Sequence, residues 1–227
     1  MKTIAVRHVD RADPAHIAEL GRAGTATVHE AIGRTGLLQP YMRPIYPGAT
    51  AAGSAITVLA QPGDNWMLHV AAELCQPGDL LVVACTTQNY DGMFGDLLAT
   101  SLVSRGVVGL VIDAGCRDIA MLREMQFPVW SRAVSAKGTV KATLGAVNVP
   151  VVCAGALILA GDVVVADEDG VVVVPRADTE GALTATRKRI EREEFNRKRL
   201  AAGELGLDIY NMRDTLANAG LIYVDHE

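Results

Sequence analysis

The sequence predicts an α/β protein in which sheet layers carry helices on their outside, with parallel βαβ units first and antiparallel strands after them. Three observations predict it. Runs such as Leu80-Leu81-Val82-Val83-Ala84-Cys85 are apolar at successive positions, as strands buried on both faces are. Helix-length segments alternate with such runs as far as about residue 130. From 133 to 175 the pattern changes to short Val-rich strands between Gly turns, which makes the sheet mixed. Half of the 227 residues are apolar and only 4% aromatic, which fits tight layers and argues against disorder. The length fits one domain over 1–227.

In chain order, Asp13 is a cap and Pro14 suits the first helical position after it, with Ile17, Ala18 and Leu20 as a short apolar face and Gly21 as a stop. A second helix follows, capped by Thr25 or Thr27 and stopped by Gly33. Pro40, Pro44 and Pro47 mark an irregular connection. Gly53 to Leu59 is a strand, Pro62-Gly63-Asp64-Asn65 a turn, and Trp66 to Leu74 a helix. After the turn at Gln76-Pro77-Gly78-Asp79 comes the strand 80–85, a loop over 86–95, a helix over 96–105 and a strand over 107–113. Asp118 to Met125 is helical, and Pro128 to Ser131 is a short strand. Asp167-Glu168-Asp169-Gly170 joins two Val runs as a hairpin turn. Asp178 caps a long charged helix, about 178–203, that ends near Gly203.

Composition excludes several classes. Net charge is −5, which argues against a general nucleic-acid or anionic-membrane binder. Arg187-Lys188-Arg189 and Arg197-Lys198-Arg199 alternate with Glu191, Glu193 and Glu194, as on a solvated helix face with i,i+4 ion pairs. The four cysteines lack CxxC spacing and sit in apolar segments, so they read as reduced core thiols. Met1 to Val6 lacks a signal-peptide pattern, and no apolar run is long enough to span a bilayer. The expectation is a soluble cytoplasmic chain.

The chemistry concentrates between Gly92 and Asp118. Twenty residues separate Asp96 from Arg117, about what one helix and one returning strand consume, and Asp118 follows at once. The loops at neighbouring strand ends then face each other, where open α/β sheets bind ligands. The amides of Gly95, Asp96, Leu97 and Leu98 would form a helix N-terminus able to bind a carboxylate. Arg117 supplies a planar cationic fork, and Asp96 and Asp118 supply hard oxygens suited to hydrated Mg²⁺ or Mn²⁺. Such a set suits a small 2-oxo acid. Taken singly, an Arg-Asp pair on a loop also fits a surface ion pair, and an Asp at a helix start also fits a cap.

Asp91-Gly92-Met93-Phe94-Gly95-Asp96-Leu97-Leu98-Ala99-Thr100, the Asp-(twenty residues)-Arg-Asp spacing and Gly203-Glu204-Leu205-Gly206-Leu207-Asp208-Ile209-Tyr210 resemble a known family. It is that of the class II pyruvate aldolases for 4-hydroxy-4-methyl-2-oxoglutarate and 4-carboxy-4-hydroxy-2-oxoadipate, which share a fold with the RraA regulators of ribonuclease E. The resemblance covers about Thr25 to Tyr223. It implies a layered αββα sandwich of RraA-like, swivelling-domain-like form, and an enzyme, since RraA regulators lack the Asp and Arg-Asp set. It further implies that Asp118 ligates Mg²⁺, Mn²⁺ or another divalent cation and that Asp96 holds a metal-bound water. Arg117 and the amides from Gly95 to Leu98 would bind the pyruvyl part. A Glu from a neighbouring subunit's C-terminal helix would complete the site. Glu193 matches it, with Glu194 and Glu191 in the same run as alternatives. A homo-oligomer follows, trimer or hexamer.

Retro-aldol cleavage leaves an enolate on pyruvate. A Lys Schiff base is one solution, yet Lys2, Lys137, Lys141, Lys188 and Lys198 all fall outside the proposed stretch, so a Lewis-acid metal with Arg117 is expected instead. Oxaloacetate decarboxylation forms the same enolate and is an expected side activity. The setting would be bacterial breakdown of aromatic acids. The rivals are an RraA-like regulator that binds a ribonuclease and a dedicated oxaloacetate decarboxylase. His69 reads as a structural histidine or a neighbour of the site, and Trp66 and Trp130 read as packing groups.

Overall fold

The computed structural model describes residues 3–225; Met1 and Lys2, at the end read as leaderless, and His226 and Glu227 lie outside the described residues. The described chain forms two compact units that divide between Thr186 and Arg187.

The first unit opens with α1 (Pro14–Ala23), where the Asp13 carboxylate accepts the Ala15 amide at 2.8 Å and Pro14 takes the first helical position. Gly21 does not end this helix. A Cβ there would lie 2.7 Å from the Cβ of Ala52, so this glycine lets the helix lie close against the sheet, and Gly24, at φ 81°, ends it. Neither Thr25 nor Thr27 caps α2 (Thr25–Ala31), whose cap position is Gly24. The Thr25 amide and hydroxyl donate instead to the Asp167 carboxylate, which ties α2 to a distant hairpin.

There follow β1 (Arg43–Pro44), β2 (Ala51–Ala60), α3 (Trp66–Leu74), β3 (Asp79–Cys85), β4 (Gly92–Phe94), α4 (Asp96–Val103), β5 (Gly109–Cys116), α5 (Ile119–Glu124) and β6 (Val129–Val134). After them come β7 (Ala146–Val147), β8 (Val151–Cys153), β9 (Ala156–Ile158), β10 (Val163–Asp167), β11 (Gly170–Val174) and the start of α6 (Thr179–Ala201). The sheet runs β1-β6-β5-β3-β2-β10-β11, with β4 on β5 and β7 on β2. The pairs β2–β3, β3–β5, β4–β5 and β5–β6 are parallel, and the later pairs are antiparallel, so the expected mixed sheet with a parallel βαβ core is present.

The sheet curls until its two ends meet. The indole N–H of Trp130 on β6 donates to the Asp167 carbonyl of β10 at 2.8 Å, and Arg43 on β1 donates to the Asp169 carbonyl at 2.9 Å. The concave side holds Leu80, Val82, Val111, Trp130, Val164 and Val171, closed by the β8–β9 hairpin. On the convex side Ile56, Val58, Leu81, Val83 and Ile112 carry α3, α4 and α5. The successive apolar residues of β3 are thereby used on both faces.

In the second unit α6 runs on to Ala201 and is followed by α7 (Gly206–Ile209) and α8 (Arg213–Asn218). Neither short helix buries a residue, and Phe195, Leu205 and Tyr210 are more than half exposed. No helix among the described residues is long and apolar enough to cross a membrane.

Candidate active site

The site forms where β4 takes over from β3 as the neighbour of β5. β3 pairs with β5 as far as Val83–Ile112; beyond that, Gly92 lies opposite Gly115 and Phe94 opposite Cys116. The stretch 86–95, expected as one loop, therefore contains a short strand. The crossing needs Gly115, because a Cβ there would lie 2.3 Å from the Tyr90 carbonyl oxygen and 2.7 Å from that of Asp91. The Arg117 amide then donates to the Phe94 carbonyl at 2.9 Å, which fixes the Arg-Asp pair beside the start of α4.

At that start Gly95 is extended, with φ −159°. Its lack of a side chain is what matters. A Cβ would lie 2.2 Å from Asp118 Oδ2, 3.1 Å from Arg117 Cγ and 3.2 Å from Arg117 Nε. Asp118 adopts the left-handed conformation, φ 58° and ψ 38°, and its carboxylate accepts the Asp96 amide at 3.3 Å. Asp96 is the first residue of α4 and accepts the Leu97 amide on its own Oδ1 at 2.8 Å. Two of the four amides expected to bind an anion are thus already engaged by the chain's own carboxylates. Leu98 is buried, whereas Leu97 is 80% exposed. The Arg117 guanidinium lies 3.5 Å from Asp118 Oδ2, its one charge partner among the described residues. The structure thus brings Gly95, Asp96, Leu97, Leu98, Arg117 and Asp118 together. Glu193 belongs to the second unit, where it pairs with Arg189 at 2.6 Å, while Glu194 meets Arg197 and Lys198.

Opposite Arg117 and Asp118, the residues Val134, Ser135 and Ala136 wall a hollow of 270 Å³. The Ser135 amide donates to the Cys116 carbonyl, and the Gly92 amide to that of Lys137. From the sequence every lysine falls outside the site; the structure puts Lys137 beside it, with Nζ 2.9 Å from Asp91 Oδ1. The segment that follows is pinned by Asp64. Burial would raise the pKa of this carboxyl, but the amides of Trp66, Ala142 and Thr143, at 2.7–2.9 Å, outweigh it and hold the group below its ordinary range. His69 is held low by partial burial and by the nearby charge of Lys141.

A second polar group was not evident in the sequence. Asp113 at the end of β5 accepts Arg132 Nε at 2.8 Å, the Tyr41 hydroxyl at 3.1 Å and the Ala154 amide at 3.0 Å. Arg132 lies over the rings of Tyr41 and Tyr90. Burial, then the Asp113 charge, push Tyr41 up to about 12. The members come from distant segments, so no local spacing marks them. Burial likewise pushes the Cys75, Cys85 and Cys116 thiols up to about 12, as expected of inert core thiols. Trp130 is buried as a packing group, but Trp66 is 40% exposed.

Among the described residues no three His, Cys, Asp or Glu side chains form a metal cluster. The site offers two carboxylates from one chain, with hard oxygens only. That donor set fits Mg²⁺ or Mn²⁺, which keep most of their waters, and is a poor match for a closed zinc site.

The model of the RraA-like family, described as Aldolase/RraA, matches residues 25–173, more than half of the chain. A protein of Halalkalibacterium halodurans that bears the provisional name 4-hydroxy-4-methyl-2-oxoglutarate aldolase is 27% identical over 186 residues, covering 82% of this chain and 89% of that one. One of Burkholderia multivorans with the same provisional name is 33% identical over 143 residues, covering 63% and 87%. Among solved structures, Streptomyces coelicolor RraAS2, described as an unusual member of the RNase ES inhibitor RraA family, superposes with a TM-score of 0.74 at 31% identity, covering 83% of this chain and 98% of that one. The chain belongs to the RraA-like family of aldolases and RraA proteins.

Proposed function

We propose that this chain is a divalent-metal-dependent pyruvate aldolase. It cleaves 4-hydroxy-4-methyl-2-oxoglutarate or 4-carboxy-4-hydroxy-2-oxoadipate to pyruvate plus pyruvate or oxaloacetate. The observation that carries the reading is the convergence of Arg117 and Asp118 on the side-chain-free position at Gly95, next to Asp96 at the start of α4. Asp118, with Asp96 acting through water, would hold the cation, which when bound supplies Lewis-acid stabilisation of the pyruvate enolate.

The chain's own residues do the rest. The substrate carboxylate takes over the Leu97 amide and uses that of Leu98 at the start of α4, where the helix dipole favours an anion. Arg117 donates to the C2 oxygen and gains strength as charge develops there, which is binding specific to the transition state. Asp96, whose Oδ1 gives up the Leu97 amide to the substrate, orients the water that accepts the C4 hydroxyl proton. The C3–C4 bond then breaks, its electron pair passes to the enolate, and C4 leaves as a carbonyl. In oxaloacetate the same pair is released by loss of CO₂, so decarboxylation accompanies the aldolase reaction.

The second unit supports assembly into a trimer or hexamer. It exposes Ile190, Phe195, Leu200, Leu205 and Tyr210, and its short helices bury nothing. On this reading it delivers Glu193 to the site of another copy.

The test is pyruvate release with Mg²⁺ by the wild-type protein and by Asp118→Ala. Release by the wild type and its loss in the variant are expected. Release that persists in the variant removes Asp118 from the metal. A wild type inactive with every divalent ion favours the second reading, an RraA-like protein that binds a ribonuclease, which the likeness to the Streptomyces structure supports. A higher kcat/KM on oxaloacetate than on either aldol would make the chain a dedicated decarboxylase.

A further inference from the structure

We infer that Lys137, held by Asp91, forms the subsite for the carboxylate on C4 of the substrate and so selects dicarboxylic 4-hydroxy-2-oxo acids over monocarboxylic ones. The inference rests on the aldolase reading and assigns the half of the substrate that Arg117 and α4 leave unbound.

The chain path puts the backbone of Lys137 beside the site. The wall of the hollow over Arg117 and Asp118 is Val134-Ser135-Ala136, and Lys137 is the next residue. Its backbone is fixed from one side, since its carbonyl accepts the Gly92 amide at 2.8 Å. A Cβ on Gly92 would lie 2.3 Å from the Ser135 carbonyl oxygen, 3.1 Å from that of Lys137 and 3.3 Å from Arg117 Cβ. A Cβ on Gly138 would lie 3.7 Å from Arg117 Nη1. The segment 135–138 therefore runs directly along Arg117, and Gly92 gives it the room to do so.

The side chain is suited to the task. Lys137 is 71% exposed with Nζ 2.9 Å from Asp91 Oδ1, whereas Asp91 is only 17% exposed. The acid is thus the fixed member and the ammonium the movable one. An ammonium has three donors, so it can keep Asp91 and still donate to a ligand carboxylate. The Asp91 amide is itself held by Asn89, and Asp91 directly precedes Gly92, so the anchor and the catalytic stretch are one piece of chain. With the pyruvyl half on Arg117 and α4, C4 and its substituents must extend away from those groups. The wall beside Arg117 offers its cation there.

The experiment compares two substrates with one shared half. The first, 4-hydroxy-4-methyl-2-oxoglutarate, carries the C4 carboxylate, and 4-hydroxy-2-oxopentanoate lacks it. Lys137→Met should lower kcat/KM on the diacid about tenfold or more, chiefly through KM, and lower it on the monoacid less than threefold. Lys137→Arg should restore most of the diacid preference, and raising the salt should shrink the preference in the wild type but not in the Met variant. Equal loss on both substrates, or no loss on the diacid, overturns the subsite while the aldolase reading stands. A wild type that releases pyruvate from neither substrate overturns both. Because Lys137 is exposed, its thermal midpoint should match the wild type and show that the variant is folded.

Discussion

Replacing Gly95 by Ala tests whether the geometry around the Arg-Asp pair is used. The new methyl would lie 2.2 Å from Asp118 Oδ2 and just over 3 Å from the Arg117 side chain. The carboxylate must then move by about an ångström, and the guanidinium by less. A displacement of that size at a reacting centre lowers rate by about 100-fold, or about 2.7 kcal/mol of transition-state stabilisation. Stability should change far less. Gly95 is extended, a conformation open to any residue, and the Asp118 side chain is 36% exposed and free to swing outward. What is lost is one hydrogen bond of 3.3 Å from the Asp96 amide, worth about 1 kcal/mol at most. The thermal midpoint should therefore fall by no more than about 4 °C. The assay is pyruvate release with Mg²⁺, coupled to NADH oxidation by lactate dehydrogenase, next to thermal unfolding of the same preparation. Activity within threefold of the wild type would show that the close approach of Asp118 to Gly95 has no part in turnover. A large loss of stability would assign Gly95 to the fold.

Other expectations follow from single contacts. Glu193→Gln should reduce turnover while leaving pyruvate affinity within about twofold, as isothermal titration would read it; an unchanged rate transfers the role to Glu194 or Glu191 or removes it. Asp64→Asn should cost about 1–3 kcal/mol at pH 7 by urea unfolding, because three amides lose a charged acceptor. The folded Asp64 carboxyl titrates below its unfolded value near 4, so its contribution is complete above that pH and is lost as the pH falls further. The gap between wild type and variant should narrow below about pH 4, and a gap independent of pH would remove Asp64 as the acceptor.

The parts of this protein that the sequence reveals are those governed by local chemistry. The cap at Asp13, the doubly buried run of β3 and the hairpin at Asp167–Gly170 each follow from residues within a few positions of one another. So does the βαβ spacing that brings Asp96 to Arg117 and Asp118. What local pattern does not reveal depends on a distant neighbour. Gly21 has the composition of a helix stop, and only Ala52 on the sheet shows why it is a contact residue. Thr25 looks like a cap, but Asp167, far along the chain, is its partner. β4 is three residues long, too short for any period, and exists because β5 outruns β3. Lys137 sits in a segment with no regular pattern, and its place beside Arg117 is set by how β6 ends. The Asp113–Arg132–Tyr41 group is assembled by the curl of the sheet, which leaves no trace in spacing.

The family includes proteins with aldolase names and proteins with regulator names, so fold alone does not decide between them. The acidic residues carry more of the answer. Asp79 is fully buried, and its two oxygens accept Arg11 and the Gln76 amide; Asp162 accepts two amides, Asp64 three, and Asp113 joins a cation, a hydroxyl and an amide. Each of these ties separate elements together, and each should destabilise the fold when removed. Asp118 fits that group least, since its one side-chain hydrogen bond to another element among the described residues is the 3.3 Å contact from the Asp96 amide. It sits in a left-handed conformation that strains a non-glycine residue by about 1 kcal/mol or more, supplies no side-chain cap to α5, and lies against a position kept free of any side chain. Such an arrangement is expected where stability is given up for a ligand. Asp118→Gly should therefore raise the thermal midpoint in metal-free buffer by one to a few degrees, since glycine accepts φ 58° without strain, while pyruvate release is lost. Asp79→Asn should do the reverse for stability and lower the midpoint clearly. If Asp118→Gly also loses stability, Asp118 belongs with the structural acids, and the case for an external ligand at this position falls.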